Sequence, residues 1–502
     1  MSQEKTELPL VRPVANLERY TLAQGNTNIY YNVVIGTRLQ LQSNLKWPQD
    51  KGQWIALLSP ALSWLVQQRP ALSVVIGEHL SAHPTFRRLP HIDLNKIIRL
   101  DSIQHPEDIA KVMEAEHAQP FNIAHHEVPL WRIIVVHVKQ DDTYYLLYNF
   151  QHSISDGRSG MMFSELLVER LNHEINSPTP ATSNLAIIPT SNEPLPPSLE
   201  QRTDCRPSIT TLIKELSMHH LLPEHLKRML ESKYWAGDID ASVKTSHETL
   251  VSYLALTQEE TKTIVAAAKA HKTTVNTILS SASLFALKSL FMSDASNRAN
   301  PSTTKDKLSI STAVALRNMI SPPIDKYDQG VYVSEAVTKD IRVELQTSFW
   351  GLSHMYGASV IQATQTTKGR KSLLEHLGLL EYLPKTQGGW EEYMVSQFKE
   401  LQHGRETTVR FSNLGKAWDQ LQDEVGFKVL DPVFSQSACT TSSAFTFSAA
   451  TANNTLVVTN TWQKSTFATR EKADKVLVEM RRIMLEAAAK EDYSFHDSLA
   501  NA

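Results

Sequence analysis

Between Asn172 and Pro207 the chain carries seven prolines, at 178, 180, 189, 194, 196, 197 and 207, set among serine, threonine and asparagine. Proline fixes the backbone φ angle and removes an amide donor, so no long helix or interior strand can run through such a stretch. A chain of 502 residues interrupted in this way must fold as two parts joined across the interruption. The expected division is an N-terminal domain over 1–177, a linker or crossover over 178–245 and a C-terminal domain over 246–502.

Both parts mix strands with helices. Arg132–Lys139 (RIIVVHVK) and Thr143–Gln151 (TYYLLYNFQ) flank an Asp-Asp turn, and their aromatic and branched content predicts a hairpin with a buried second strand. A short polar turn follows, then Met161 to Leu171, whose apolar positions 162, 163, 166, 167 and 171 keep helical spacing. Further along, Thr257 with Glu260 forms a capping box that starts a helix through about Ala270, and Val275–Phe291 predicts another. Strands are expected at Leu308–Ala315, Val409–Asn413, Ala444–Ala449 and Leu456–Thr461, with a terminal helix over Lys472–Ala489. The polar break Ser293–Lys307 predicts a surface loop. No period in the solenoid or propeller range is present.

Composition removes several classes of function. With 53 acidic against 50 basic residues the net charge is −3, which lacks the basic excess that a dedicated nucleic-acid binder uses against phosphates. Apolar stretches such as Trp54–Leu65, interrupted by Ser59, Pro60 and Ser63, fall short of the roughly 20 residues that span a bilayer. Met1–Arg12 contains no signal-peptide core. A cytoplasmic monomer without a transmembrane segment is the expectation. Two cysteines, Cys205 and Cys439, with no CxxC pair, fit a reducing compartment and inert buried thiols.

The chemistry concentrates in Asn149-Phe-Gln-His152-Ser-Ile-Ser-Asp156-Gly157-Arg-Ser-Gly160, where the strand ends and the helix begins. A strand terminus fixes a side chain while leaving it open to a cleft, and an imidazole with an intrinsic pKa near 6.5 can take a proton there at neutral pH. Asp156 either orients that histidine or anchors the turn through an ion pair, and anchoring is the favoured role. Gly157 is expected to supply the positive φ that a sharp turn often needs. His137 also has an aspartate four residues on, Asp141, but within the hairpin turn, where the pair reads as structural.

Other motifs carry less. Gly157-Arg-Ser159-Gly160 misses the GxSxG spacing of hydrolases by one residue. His125-His126 and His219-His220 are adjacent pairs whose side chains diverge, with no further ligand at a metal-binding spacing, so no metal is expected. No phosphate-binding glycine motif is present.

The HSISDG segment resembles the HxxxDG signature of the CoA-dependent acyltransferase superfamily, which includes chloramphenicol acetyltransferase, the plant BAHD enzymes, peptide-synthetase condensation domains and fungal alcohol acetyltransferases. Pro129-Leu-Trp-Arg132, Asn276, Arg317, Gly330-Val-Tyr-Val-Ser334 and Phe411-Ser-Asn-Leu-Gly415 look like further landmarks at family-like spacing, over roughly residues 16 to 490. The branch it most resembles is the fungal alcohol acetyltransferases, among them trichothecene O-acetyltransferases of secondary metabolism. The plant-type DFGWG motif is missing, and Gly426-Phe-Lys does not replace it.

The resemblance implies an α/β fold of two chloramphenicol-acetyltransferase-like domains with a channel between them and His152 midway along it. It implies acetyl-CoA or another acyl-CoA as co-substrate, a small-molecule alcohol as acceptor, His152 as general base, and an Asp156–Arg317 ion pair between the domains. Ser412 and Asn413 are the first candidates to stabilise the oxyanion. Thr440 and Thr441, in the run Thr440-Thr441-Ser442-Ser443, are the second. Arg405, Arg410 and Lys416 are cations without an assigned role. The alternative reading is a condensation- or cyclisation-type relative, or an acyltransferase that depends on a carrier protein.

Overall fold

A computed structural model of the chain describes residues 7–42, 45–176, 186–216, 234–237, 248–292, 307–325, 328–400, 404–418, 426–467 and 469–500. Two large sheets organise it, and their strand composition follows from which faces the sequence must bury.

The first sheet has five strands in the order β14-β2-β8-β7-β6. They are β2 (Val33–Leu41), β6 (Ile98–Ile103), β7 (Trp131–Val138), β8 (Thr143–Phe150) and β14 (Phe427–Gln436). Strands β7 and β8 form the expected hairpin, antiparallel with Val138 opposite Thr143. Every residue of β8 is buried because both faces of the sheet are covered. On one face Tyr144, Leu146, Tyr148 and Phe150 pack with the helices Lys51–Gln68 and Gly157–Asn176. On the other, Tyr145 and Leu147 pack against the helix Ile109–His117 and against Val251 from the second half. A strand buried on both sides loses the hydrophobic alternation of a half-exposed one, which is why TYYLLYNF reads as continuous.

The second sheet has six strands, β10-β16-β15-β13-β11-β12. Their ranges are β10 (Thr249–Ala255), β11 (Lys307–Ala315), β12 (Val333–Arg342), β13 (Thr407–Lys416), β15 (Ser443–Ala452) and β16 (Thr455–Gln463). Val409, Phe411, Phe445 and Phe447 build its core with the helices Val275–Met292 and Arg470–Ala489. The first of these helices is long and apolar enough, by length and composition, to cross a bilayer. Here it is the central core helix, with Ile278, Leu279 and Leu284–Leu287 buried against the sheet. The capping box reads as expected: Thr257 Oγ1 accepts from Glu260 N at 3.1 Å and Glu260 Oε2 from Thr257 N at 3.0 Å.

Two smaller sheets, β1-β4-β3 (Leu10–Pro13, Thr85–Arg88, Val74–Gly77) and β5-β9 (His91–Asp93, Ile187–Pro189), complete the first half. β9 lies in the proline-rich stretch, which therefore contributes a short edge strand as well as a crossover. The division of the chain is also less simple than a cut at one linker. β14 belongs by sequence to the second half but is the edge strand of the first sheet, antiparallel to β2. The polar break at 293–306 and the His219-His220 pair lie outside the described residues.

Candidate active site

The end of β8 is anchored from below. Asn149 Nδ2 donates to Glu116 Oε2 at 2.8 Å, and Glu116, only 1% exposed, also takes Arg99 and Arg132, each at 2.6 Å. Past Phe150 the chain turns sharply, with Gln151 Oε1 accepting from Ser153 N at 2.5 Å and Gln151 Nε2 donating to Thr21 O at 3.2 Å. His152 stands on this fixed turn. Its Nδ1 is buried with no hydrogen-bond partner among the described residues, and the residue as a whole is half-buried. The ring lies 5.8 Å from that of Tyr30, tilted by 53°.

Burial lowers the His152 pKa below its ordinary value of 6.5, and Arg410 pushes the same way, while its own backbone carbonyl and the Asp156 charge push it up by less. The imidazole is therefore neutral at pH 7, the form that can accept a proton.

Asp156 points away from the histidine toward the second half. Its Oδ2 takes Arg317 Nη1 at 2.6 Å and Tyr332 N at 2.9 Å, and its Oδ1 takes Ser159 N at 2.7 Å. Arg317 also donates to Ser159 Oγ at 2.6 Å and lies over the Tyr332 ring at 4.8 Å. Burial pushes the Asp156 carboxyl up, but the Arg317 charge and these hydrogen bonds outweigh it and hold it below the usual carboxylate range. With its lone pairs spent on Arg317 and two amides, Asp156 is an anchor between the halves. Ser159 Oγ in turn donates to Gly330 O at 2.9 Å and is fully buried, so the hydroxyl is not free to act as a nucleophile.

Gly157 does not have the positive φ expected of it. It opens the helix Gly157–Asn176, where a Cβ would stand 3.1 Å from Leu414 Cδ2 on β13, a tight approach that the leucine would have to yield to. That contact brings the SNLG end of β13 against the first turn of the helix. Side chains alternate along a strand, so Arg410, Ser412 and Leu414 share the face turned toward the first half, while Val409 and Phe411 enter the core. Asn413 falls on the opposite face from Ser412 by the same alternation, and its Oδ1 accepts from Gly415 N at 2.8 Å.

The second group of candidates lies in the crossover from β14 to β15. Thr440 N donates to Ile29 O at 3.1 Å, next to Tyr30, and Ser437 N to Asn32 O at 3.0 Å. Thr440 Oγ1 is buried with no partner among the described residues, and Thr441 Oγ1 lies 3.9 Å from Cys439 Sγ. An unpartnered buried hydroxyl is costly.

Residues without a sequence-derived role also gather here. Arg410 Nη2 lies 3.6 Å from Glu335 Oε2, and its Nη1 donates to Ser442 Oγ at 3.2 Å. Its signal was a charge set between Val409 and Phe411 of the strand. Tyr30, Glu335 and Glu406 offered none. Arg405, by contrast, is fully buried and donates to Ala236 O and Thr466 Oγ1, so it is structural. In the hairpin turn His137 pairs with Asp142 at 2.7 Å, while Asp141 pairs with Arg38 at 3.1 Å. His125 and His126 are exposed, and among the described residues no group of three or more His, Cys, Asp or Glu is placed to hold a metal. Both cysteines are buried, and burial pushes their thiols up, Cys205 to about 12.

With the two sheets and the His152 segment described, comparison with known proteins gives the family. The family model of the alcohol acetyltransferases matches residues 16–482, and the chain belongs to that family. An uncharacterized protein of Schizosaccharomyces pombe is 23% identical over 450 residues, 86% of this chain and 88% of that one. A probable alcohol acetyltransferase of Aspergillus fumigatus is 28% identical over 156 residues, 29% of this chain and 34% of its own. In fold the chain is similar to the trichothecene 15-O-acetyltransferase of Fusarium sporotrichioides, with TM-score 0.62 and 14% identity over 94% of both chains. It is similar to the condensation domain of the monacolin K polyketide synthase MokA too, with TM-score 0.61 and 11% identity over 98% of this chain and 100% of that one.

Proposed function

We propose that this protein moves an acyl group, most simply acetyl, from acyl-CoA to the hydroxyl of a small-molecule alcohol of secondary metabolism. His152 takes the hydroxyl proton as the oxygen attacks the thioester carbonyl. The tetrahedral oxyanion then collapses, the carbon–sulfur bond breaks, and His152 returns the proton to the leaving thiolate. Ser412, on the face turned to the first half, and Thr440, with its free hydroxyl, are the donors best placed for the oxyanion. One such donor contributes about 3 kcal/mol to transition-state stabilisation.

The observation that carries this reading is the placing of His152: at the end of β8 on a fixed turn, half-buried as a residue, its pKa lowered by burial, while Asp156 is held by Arg317. An acid–base residue needs those properties together. A condensing relative would share the fold but would draw its acyl group from a carrier-bound thioester. Thiol release from acetyl-CoA, followed with a colorimetric thiol reagent across a panel of terpenoid and polyketide alcohols, separates the two. Alcohol-dependent release supports CoA-dependent transfer. Its absence with every alcohol, together with turnover of a carrier-bound acyl thioester, overturns it.

A further inference from the structure

A base histidine is ordinarily aimed by a third group bonded to its second ring nitrogen. At His152 that group is missing: Nδ1 has no hydrogen-bond partner among the described residues, and Asp156 is turned to Arg317 at 2.6 Å. The direction of the imidazole therefore depends on the backbone that carries it and on the Tyr30 ring, whose centroid lies 5.8 Å away.

On either side of His152 the backbone bonds converge on Gln151. Both of the next two amides end there, Ser153 N on its Oε1 at 2.5 Å and Ile154 N on its carbonyl at 3.3 Å. Its own amide donates to Leu130 O at 3.0 Å, just before β7. The side-chain Nε2 then reaches across to the helix Asn16–Asn26 and donates to Thr21 O at 3.2 Å. That helix is itself seated, with Glu18 Oε1 paired to Arg12 Nη2 at 2.7 Å. Gln151 is only 2% exposed, so water does not compete for these bonds and the side chain is too buried to meet a substrate. The two side-chain bonds call for one oxygen acceptor and one nitrogen donor on the same group, which a primary amide supplies.

We infer that Gln151 is the positioning residue of the base: it locks the backbone on both sides of His152 to a seated helix and so aims the imidazole, in place of an orienting carboxylate. A catalytic side chain works only within a narrow range of position, and displacing a reacting group by about 1 Å can cost about 10²-fold in rate. The amide meets neither substrate nor the ring, so its removal should weaken the chemical step and not the binding of acetyl-CoA or alcohol.

Aiming a base matters only if His152 is one, so this role rests on the acyl-transfer reading. The test measures kcat and KM by thiol release from acetyl-CoA with an accepted alcohol, below the melting temperature of each protein, in the full chain, Gln151→Met, His152→Ala and the double variant. Gln151→Met keeps the length of the side chain and loses both of its bonds. It should lower kcat by about 10–100-fold and leave both KM values within about twofold. In the double variant the loss beyond that of His152→Ala should vanish, because a residue that acts through another is not additive with it. Gln151→Glu keeps an oxygen for Ser153 N, should lose less, and carries the same comparisons if the methionine variant does not fold. Amide exchange across 151–156, which needs no substrate, should quicken in Gln151→Met. A folded Gln151→Met with wild-type kcat, a loss of the same size with and without His152, or unchanged exchange across the turn overturns the inference and leaves the base reading standing. Wild-type kcat in His152→Ala removes the base reading and the positioning role with it.

Discussion

At the scale of the residue, the protonation of His152 is set by where the turn places it. Burial and Arg410 outweigh the two influences that favour the charged ring, so the folded pKa lies below 6.5. A depressed pKa leaves the base deprotonated at neutral pH and charged only in acid. kcat/KM should therefore be flat from neutral pH upward and fall as pH drops, with its acid midpoint below 6.5; a pH–rate profile with a midpoint above that value contradicts the placement. His152 and Asp156 could be read from the sequence because they lie in one short segment whose spacing carries information. Arg410 and Glu335 could not, since they come from separate strands and meet only after the second sheet has formed.

The same contrast holds between elements. The capping box at Thr257 and the hairpin at Val138 and Thr143 are local events, legible from a few neighbouring residues. β14 was not: Asp431 and Pro432 argue against a strand. Both are accommodated because β14 is an edge strand whose pairing shifts register between Val429 and Pro432, with Asp431 held by Arg38 at 2.7 Å. β2 escaped for a related reason, as Gly36, Thr37 and Arg38 interrupt its apolar run.

Two substitutions test how the helix Gly157–Asn176 is seated. At Gly160 a Cβ would lie 2.6 Å from Phe150 Cε1 and 2.9 Å from Ile35 Cδ1, both fully buried. Alanine favours a helix over glycine by about 1 kcal/mol, but overpacking a rigid core costs about 1–3 kcal/mol, so the clash decides the sign. Gly160→Ala should lower the urea midpoint; an unchanged or raised midpoint would show that the ring can yield. Asp156→Asn leaves Arg317 as an uncompensated buried charge, and breaking such pairs costs about 3–5 kcal/mol. Its melting temperature should fall steeply, and near-native stability together with near-native turnover would remove both an anchoring and an orienting role for Asp156.

At the scale of the molecule, the halves are tied together by exchange. β14 completes the first sheet from the second half, Val251 of β10 fills a core under that sheet, and Arg317 and Tyr332 grip Asp156. The proline-rich stretch at 172–207 predicts two parts, but a break in composition cannot show that a strand returns across it. With its edge strand supplied from residues 427–436, the first sheet should not form when 1–247 is expressed alone, and the intact chain should unfold in one calorimetric transition. A folded, monomeric N-terminal fragment, or two separate transitions, would mean that the exchange is incidental to stability.

The most direct test is thiol release from acetyl-CoA by wild type and His152→Ala, with an accepted alcohol and with melting temperature measured in parallel. A base at position 152 predicts a fall in kcat of about 10²–10⁴-fold with the melting temperature nearly unchanged. Release that survives the substitution in a folded protein would mean that the proton goes elsewhere.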